Sequence, residues 1–308
     1  MSAVIVLKGN NVSEVDFALA EYVLFTDSSC DLPMSMVEKM ELTVLPLTLT
    51  MNGKSYVNTL DEKNITYTEL YEMLPKATEV KTSAVNQHAF EVEMEPVLQA
   101  GKDILYIGFS SGLSGTYSAG ELAAQAMREK YPERKIYTVD TLCASLGEGL
   151  IVYLCWQQKA AGKSIEEVRD YCENNKLHIC HWFTVDDLMH LKRGGRVSAT
   201  SALIGTVLGI KPVMHVDNDG LLKLVDKARG RKASIKRLIS EVENRAIEPD
   251  KYPMAISHGG CLDEATAIAD TLKQKLGVPE VIINYCGPVV GAHSGPGTLA
   301  LFCLGNER

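Results

Sequence analysis

Short apolar runs alternate along the chain with stretches whose apolar residues recur at steps of three and four. Residues 103–109 form a continuous apolar run suited to a strand buried on both faces. Beyond a polar loop, Tyr117, Gly120, Ala124, Met127 and Tyr131 share one face of a helix. Residues 22–26 and 136–140 predict further strands. A longer strand is predicted over 42–51, turning at Asn52-Gly53-Lys54 into 55–57. Helices are expected from Leu32-Pro33 to Lys39, over 66–74, 86–98 and 144–160, and after the capping box Ser164-Ile-Glu-Glu167. Strand and helix in alternation predict an α/β fold with a doubly wound parallel sheet.

The texture changes near residue 175. A strand over 177–183 and a short helix lead into the charged turn Lys192-Arg-Gly-Gly-Arg196. Residues 202–210 are apolar but carry Gly205 and Gly209. A hairpin is predicted from 212–216 through Asp217-Asn-Asp-Gly220 to 221–225. Helices over 234–244 and 263–275 alternate with strands over 254–258 and 281–285. The expected organisation is an extension over 1–21, an α/β domain over 22–174 and an α+β domain over 175–308, packed closely together.

Composition narrows the class. A chain of 308 residues with 46% hydrophobic residues supports a large core. Its net charge of −8 argues against nucleic acid as a partner. The eight cysteines include no Cys-x-x-Cys pair, which suits free thiols in a reducing cytoplasm. No apolar run reaches membrane-span length, so at most transient membrane contact is expected.

The chemistry concentrates in Ile107-Gly-Phe-Ser-Ser-Gly-Leu-Ser-Gly-Thr-Tyr-Ser118, where a strand ends and a helix begins. Free N–H groups and the helix dipole favour an anion there, and Gly112 and Gly115 allow close backbone approach. The same residues also fit an ordinary strand–turn–helix joint with a capping serine. A phosphate loop would need Lys after its last glycine, but Gly115 is followed by Thr116-Tyr117. A nucleophile elbow would need Gly-x-Ser-x-Gly, and Gly112-Leu-Ser114-Gly115 departs from it. In parallel sheets ligands collect beyond the carboxyl ends of strands, where Asp27-Ser28 also lies.

Other polar groups have plain alternatives. Thr82 or Ser83 fits a cap for the helix over 86–98. His293, between glycines and a proline, reads as an exposed, shaped loop. His178, Cys180 and His181 resemble a metal set, but alternation splits them between strand faces and no carboxylate stands at ligand spacing. No metal or other cofactor is expected. A serine hydrolase built on Ser114, His293 and Asp27 is the enzymatic alternative.

Six motifs in order resemble a known family: Thr26-Asp-Ser-Ser-Cys-Asp-Leu-Pro33, Thr82-Ser83, Ser111-Gly-Leu-Ser-Gly-Thr-Tyr117, Gly194-Gly-Arg-Val-Ser198, Ile210-Lys-Pro212 and His293-Ser-Gly-Pro-Gly297. From about Tyr22 to the C-terminus the chain resembles the DegV family of bacterial fatty-acid-binding proteins, binding subunits of a fatty acid kinase system. The resemblance implies a buried tunnel for a long-chain acid (palmitate- or oleate-like) near the domain junction. It implies a carboxylate site at Thr82 and Ser114, with Ser83, Gly115 and His293 beside them. Arg196 and, less directly, Arg229 match head-group or kinase-facing positions. Leu203, Ile204, Leu208 and Ile210 are candidates for the acyl tunnel. A departure is Asn86-Gln87 after Ala84-Val85, where members often carry Gln-Pro after Thr-Ser. On this resemblance the protein is a non-catalytic carrier whose bound acid a partner kinase phosphorylates to an acyl phosphate. A fatty-acid-responsive regulatory protein without a kinase is the other binding alternative.

Overall fold

The computed structural model describes residues 21–197 and 209–308. Strand β1 (Tyr22–Asp27) ends in a 3-10 turn over Ser28–Cys30 and helix α1 (Met34–Met40). Strands β2 (Thr43–Leu45), β3 (Thr48–Met51) and β4 (Lys54–Val57) precede α2 (Tyr67–Met73), β5 (Val80–Ser83) and α3 (Gln87–Gln99). Then come β6 (Asp103–Gly108), α4 (Thr116–Lys130), β7 (Ile136–Asp140), α5 (Leu146–Ala160) and α6 (Ile165–Asn175). The second half holds β8 (Ile179–Thr184), α7 (Met189–Arg193), β9 (Ile210–Val216), β10 (Leu222–Arg229) and α8 (Arg231–Arg245). It finishes with β11 (Met254–His258), α9 (Leu262–Leu276), β12 (Val281–Tyr285), α10 (Pro288–Ser294) and β13 (Leu299–Leu304).

These strands make three sheets. The first, in order β2-β1-β6-β7, is wholly parallel, and every residue of its central β6 is buried. The six-stranded sheet runs β10-β9-β8-β13-β11-β12 and is antiparallel except for the β11–β12 pair. The third, β4-β3-β5, is a small antiparallel sheet. The α/β reading therefore stands.

Helix α5 links the two larger sheets. Its residues from Leu146 to Cys155 are all buried, as expected of a helix apolar on every side. It packs against β8, β11 and β13. One core consequently runs from Leu105 and Ile107 through Leu150 and Leu154 to Phe183 and Phe302. Burying each such side chain contributes about 1.5–3 kcal/mol.

Three local expectations are corrected. The strand expected over 42–51 breaks at Pro46, which has no N–H to donate to a ladder. Its first part joins β1 and its second founds the small sheet. Neither Thr82 nor Ser83 caps α3: both lie in β5, and the Asn86 side chain accepts from Ala89 N–H at 2.9 Å. His293 lies in the last turn of α10, part-buried, and not in an exposed loop. Sequence patterning also left out β13, which is buried along its whole length.

Candidate ligand-binding site

A cavity of about 310 Å³ opens between the parallel sheet, the small sheet and the six-stranded sheet. It is within the usual range for small-molecule sites, roughly 300–1,000 Å³. Its walls are mostly apolar, with Leu47, Phe183, Val289, Val290, Ala300 and Phe302 among them. Thr82, Ser114, Gly115, Arg196 and His293 also line it. Residues drawn from distant parts of the chain thus meet in one place.

Each of these polar groups has a local reason for its position. Thr82 sits opposite Leu49 in the small sheet, and alternation turns Ser83 to the other, exposed side. Thr82 Oγ1 lies 2.8 Å from His293 Nε2. Burial, aided by the charge of Arg196, holds His293 down to about 4, so its ring is neutral at neutral pH. Gly194 packs on that ring, where an added Cβ would stand 2.1 Å from His293 Nδ1. The Gly-Gly-Arg turn thereby delivers Arg196, whose Nε donates to Leu113 O at 3.2 Å and whose Nη1 donates to Gly194 O.

The glycine loop brings its serine to the start of α4 without making it the cap. Ser114 Oγ accepts from Thr116 N–H at 3.2 Å and lies 2.9 Å from Thr116 Oγ1. The serine thus bonds the first residue of α4 while also facing the cavity, the N-cap itself being Gly115 with no side-chain cap. Gly115 is open, with nothing within 4 Å of where a Cβ would stand. Gly112 is crowded instead, since a Cβ there would lie 2.8 Å from Asp219 O. Its smallness admits the turn between β9 and β10, which Ser110 Oγ fastens by donating to Gly220 O at 2.9 Å.

Several expected site residues fall elsewhere. Arg229 is exposed at the end of β10, and neither it, Ser83 nor Ile210 lines the cavity. Leu203, Ile204 and Leu208 lie outside the described residues. The hydrolase triad is not assembled. His293 pairs with Thr82 and Ser114 with Thr116. Asp27 is fully buried and accepts from Ser29 N–H, Phe109 N–H and Tyr106 Oη at 3.0, 3.1 and 3.0 Å.

The His178, Cys180 and His181 cluster is likewise dispersed. His178 Nδ1 lies 3.0 Å from Gly305 O, and Cys180 Sγ donates to Glu307 O at 3.0 Å. His181 Nδ1 donates to Ile179 O at 2.8 Å while its Nε2 accepts from Ala144 N–H at 3.1 Å. Burial holds its pKa well below the ordinary value, consistent with that neutral tautomer. No group of three metal-ligating side chains occurs among the described residues.

Sequence reasoning missed Ser29, Ser145, Cys286 and Thr298, all on the cavity wall. Ser29 and Ser145 follow β1 and β7, and a hydroxyl just past a strand end is the one signal the sequence held for them. Ser145 was hidden inside a helix expected to begin one residue earlier. It is instead the N-cap of α5, with φ 53°.

The wall of this apolar cavity thus carries hydroxyls, two neutral imidazoles and one guanidinium. The family model described as "Uncharacterised protein, DegV family COG1307" matches residues 21–306, and the chain belongs to the DegV family. A DegV domain-containing protein of Clostridium perfringens is 42% identical over 290 residues, covering 94% of this chain and 99% of that one. A DegV family protein from Thermus thermophilus, described by its fatty acid binding, matches with TM-score 0.81 and 29% identity, over 92% of this chain and 99% of its own. DegV of Bacillus subtilis, described as a fatty acid binding protein, matches with TM-score 0.78 and 29% identity, over 92% and 98%. Among the described residues no helix is long and apolar enough to cross a membrane.

Proposed function

We propose that this protein binds a long-chain fatty acid in the cavity and presents it to a separate fatty acid kinase, itself performing no chemistry. The carrying observation is one apolar cavity that joins Thr82, Ser114, Gly115, Arg196 and His293 at its wall. The fatty acid binding described for the Thermus and Bacillus relatives supports the same ligand class. On this reading residues 22–174 and 175–308 supply opposite walls of the site.

The division of labour follows from magnitudes. Burying a methylene is worth about 0.8 kcal/mol, so about fifteen supply on the order of 12 kcal/mol before the costs of association. Affinity then comes mainly from the apolar wall. Hydroxyls of Thr82 and Ser114 and the open Gly115 N–H offset desolvation of the carboxylate, and Arg196 offsets its charge. Neutral His293 is suited to orient the Thr82 hydroxyl rather than to take part in acid–base chemistry. A partner kinase would supply the phosphoryl-transfer groups.

The test is native mass spectrometry of the purified protein, followed by extraction and identification of what it carried. A stoichiometric long-chain acid supports the reading. An empty protein that also refuses added palmitate and oleate overturns it. Incubation of the loaded protein with ATP and a bacterial fatty acid kinase then separates a carrier from a regulatory binder.

A further inference from the structure

Behind the glycine loop one guanidinium gathers the backbone of three chain segments. Arg308 is 8% exposed, and its Nε donates to Ile179 O at 3.2 Å. Its Nη1 donates to Leu142 O at 2.6 Å and to Asp217 O at 3.0 Å. Its Nη2 donates to Thr141 O at 3.3 Å and to Lys176 O at 2.5 Å, with Cys143 Sγ 3.0 Å away. Five N–H donors on one rigid plane thus meet five carbonyls. The fork fixes the segment after β7, the approach to β8 and the turn between β9 and β10 relative to one another. A lysine ammonium, with three donors on a single atom, does not span them.

Two of these segments hold Ser110, which is fully buried at the root of the glycine loop. Its N–H donates to Cys143 O at 3.0 Å, and its Oγ donates to Gly220 O at 2.9 Å. Gly220 N–H in turn donates at 3.0 Å to Asp217 O, the carbonyl that Arg308 also holds. Leu142, between the two anchors, has φ 54°, a left-handed conformation that leucine rarely adopts. Ser110 then shapes the loop itself. Its carbonyl accepts from Leu113 N–H and Ser114 N–H, each at 3.1 Å, and its Oγ accepts from Gly112 N–H at 3.2 Å. Leu113 O is the acceptor of Arg196 Nε. A connected set of hydrogen bonds therefore runs from Arg308 through residues 141–143 and 217–220 to Ser110, and on to Ser114 and Arg196.

Resting on the fatty-acid reading above, we infer that Arg308 is a positioning residue for the carboxylate site. It does not line the cavity. By holding both anchors of Ser110 it keeps Leu113, Ser114 and Gly115 in the form that receives an anion. Hydrogen bonds to a carboxylate depend on direction and distance, whereas burial of methylenes does not. Loss of the fork therefore weakens binding of a long-chain acid more than binding of its methyl ester.

The experiment measures the affinities of palmitate and methyl palmitate by displacement of a fluorescent fatty acid, below the melting temperature of every variant. The acid-over-ester preference is taken within each variant, so a merely structural loss that touches both ligands alike leaves it unchanged. It should fall about tenfold in Arg308→Gln and in Ser110→Ala, and stay lowered in Arg308→Lys. The double variant Arg308→Gln/Ser110→Ala should lose no more than the larger single loss, because both act along one route. Full preference in Arg308→Lys overturns the inference, since charge without the fork would then suffice. Additive losses in the double variant overturn it as well. An unchanged preference in Ser110→Ala does so even where an Arg308 variant does not fold. A wild type that binds neither the probe nor palmitate sinks the fatty-acid reading and this inference together. A wild type that prefers the acid, with variants that keep the preference, removes this inference alone.

Discussion

Burial pushes the titratable groups around the cavity toward their neutral forms from opposite directions. On the parallel-sheet side, Asp27, Asp31 and Glu148 are all fully buried, and burial raises the pKa of each. On the six-stranded side, burial lowers His181, His258 and His293. Removing water disfavours the charged form of acid and base alike. Among the described residues lining the cavity, that leaves Arg196 as the side chain charged at neutral pH. A ligand with one negative charge therefore meets one positive charge in a largely neutral interior. Desolvation, more than ion pairing, sets the field of this site.

The strongest way to break the comparison is to strip one wall of its hydroxyls. Thr82→Ala/Ser114→Ala removes both side-chain donors assigned to the carboxylate. Hydrogen bonds to charged groups contribute about 1.5–3 kcal/mol each, so binding of a long-chain acid should weaken about a hundredfold or more. Titration with a fluorescent fatty acid measures this; unchanged affinity would place the carboxylate elsewhere in the cavity. The other wall is tested by Arg196→Gln, which removes the charge but keeps a donor. That change should cost about tenfold to a hundredfold. Equal binding of the acid and its methyl ester by this variant is the expected signature, because only the acid uses the charge.

A smaller effect is expected where the two walls meet. In Gly194→Ala the new Cβ would need the place of His293 Nδ1, only 2.1 Å away. Either the Gly-Gly-Arg turn or the imidazole must shift, at a cost of about 1–3 kcal/mol. Weakened acid binding together with a lowered melting temperature is the expected pair of changes. An unaltered melting temperature would show that the turn yields freely.

Much of this was legible in the residues, and the exceptions have physical causes. The strands at 254–258 and 281–285 appear as expected because short apolar runs bounded by turns leave little choice of limits. The break at Pro46 was hidden because apolar residues continue on both sides of it. Strand β13 escaped notice because Leu299–Leu304 is apolar throughout, a pattern that periodicity does not separate from a buried helix. For the site, motif order placed Thr82, Ser114, Arg196 and His293, which the fold unites. Ser83 and Arg229 lie off the cavity wall, because a motif does not say which neighbour faces inward. Ser29 and Ser145 became visible only when strand ends distant in sequence were brought to one cavity.

Stability against pH gives the subtlest test of the two walls. Asp31 rises from 3.8 to about 8 on burial, so between those values the folded state holds more protons than the unfolded one. Its contribution to stability is fully present below about pH 4 and is lost as pH rises through about 8. His293 falls from 6.5 to about 4, so across that window the unfolded state holds more protons and stability rises with pH. The two walls therefore oppose each other in acid. Above about pH 6.5 the histidine contribution is complete, and the decline caused by Asp31, in the same sense as that of buried Glu148, continues toward pH 8. Melting temperature should fall over that upper interval in the wild type and fall less steeply in Asp31→Asn, which has no proton to lose. His293→Gln should leave the upper interval unchanged and remove part of the rise seen between about pH 4 and 6.5. Identical slopes for Asp31→Asn and wild type above pH 6.5 would mean that Asp31 is not held protonated by burial, and the symmetry between the walls would fail on the acidic side.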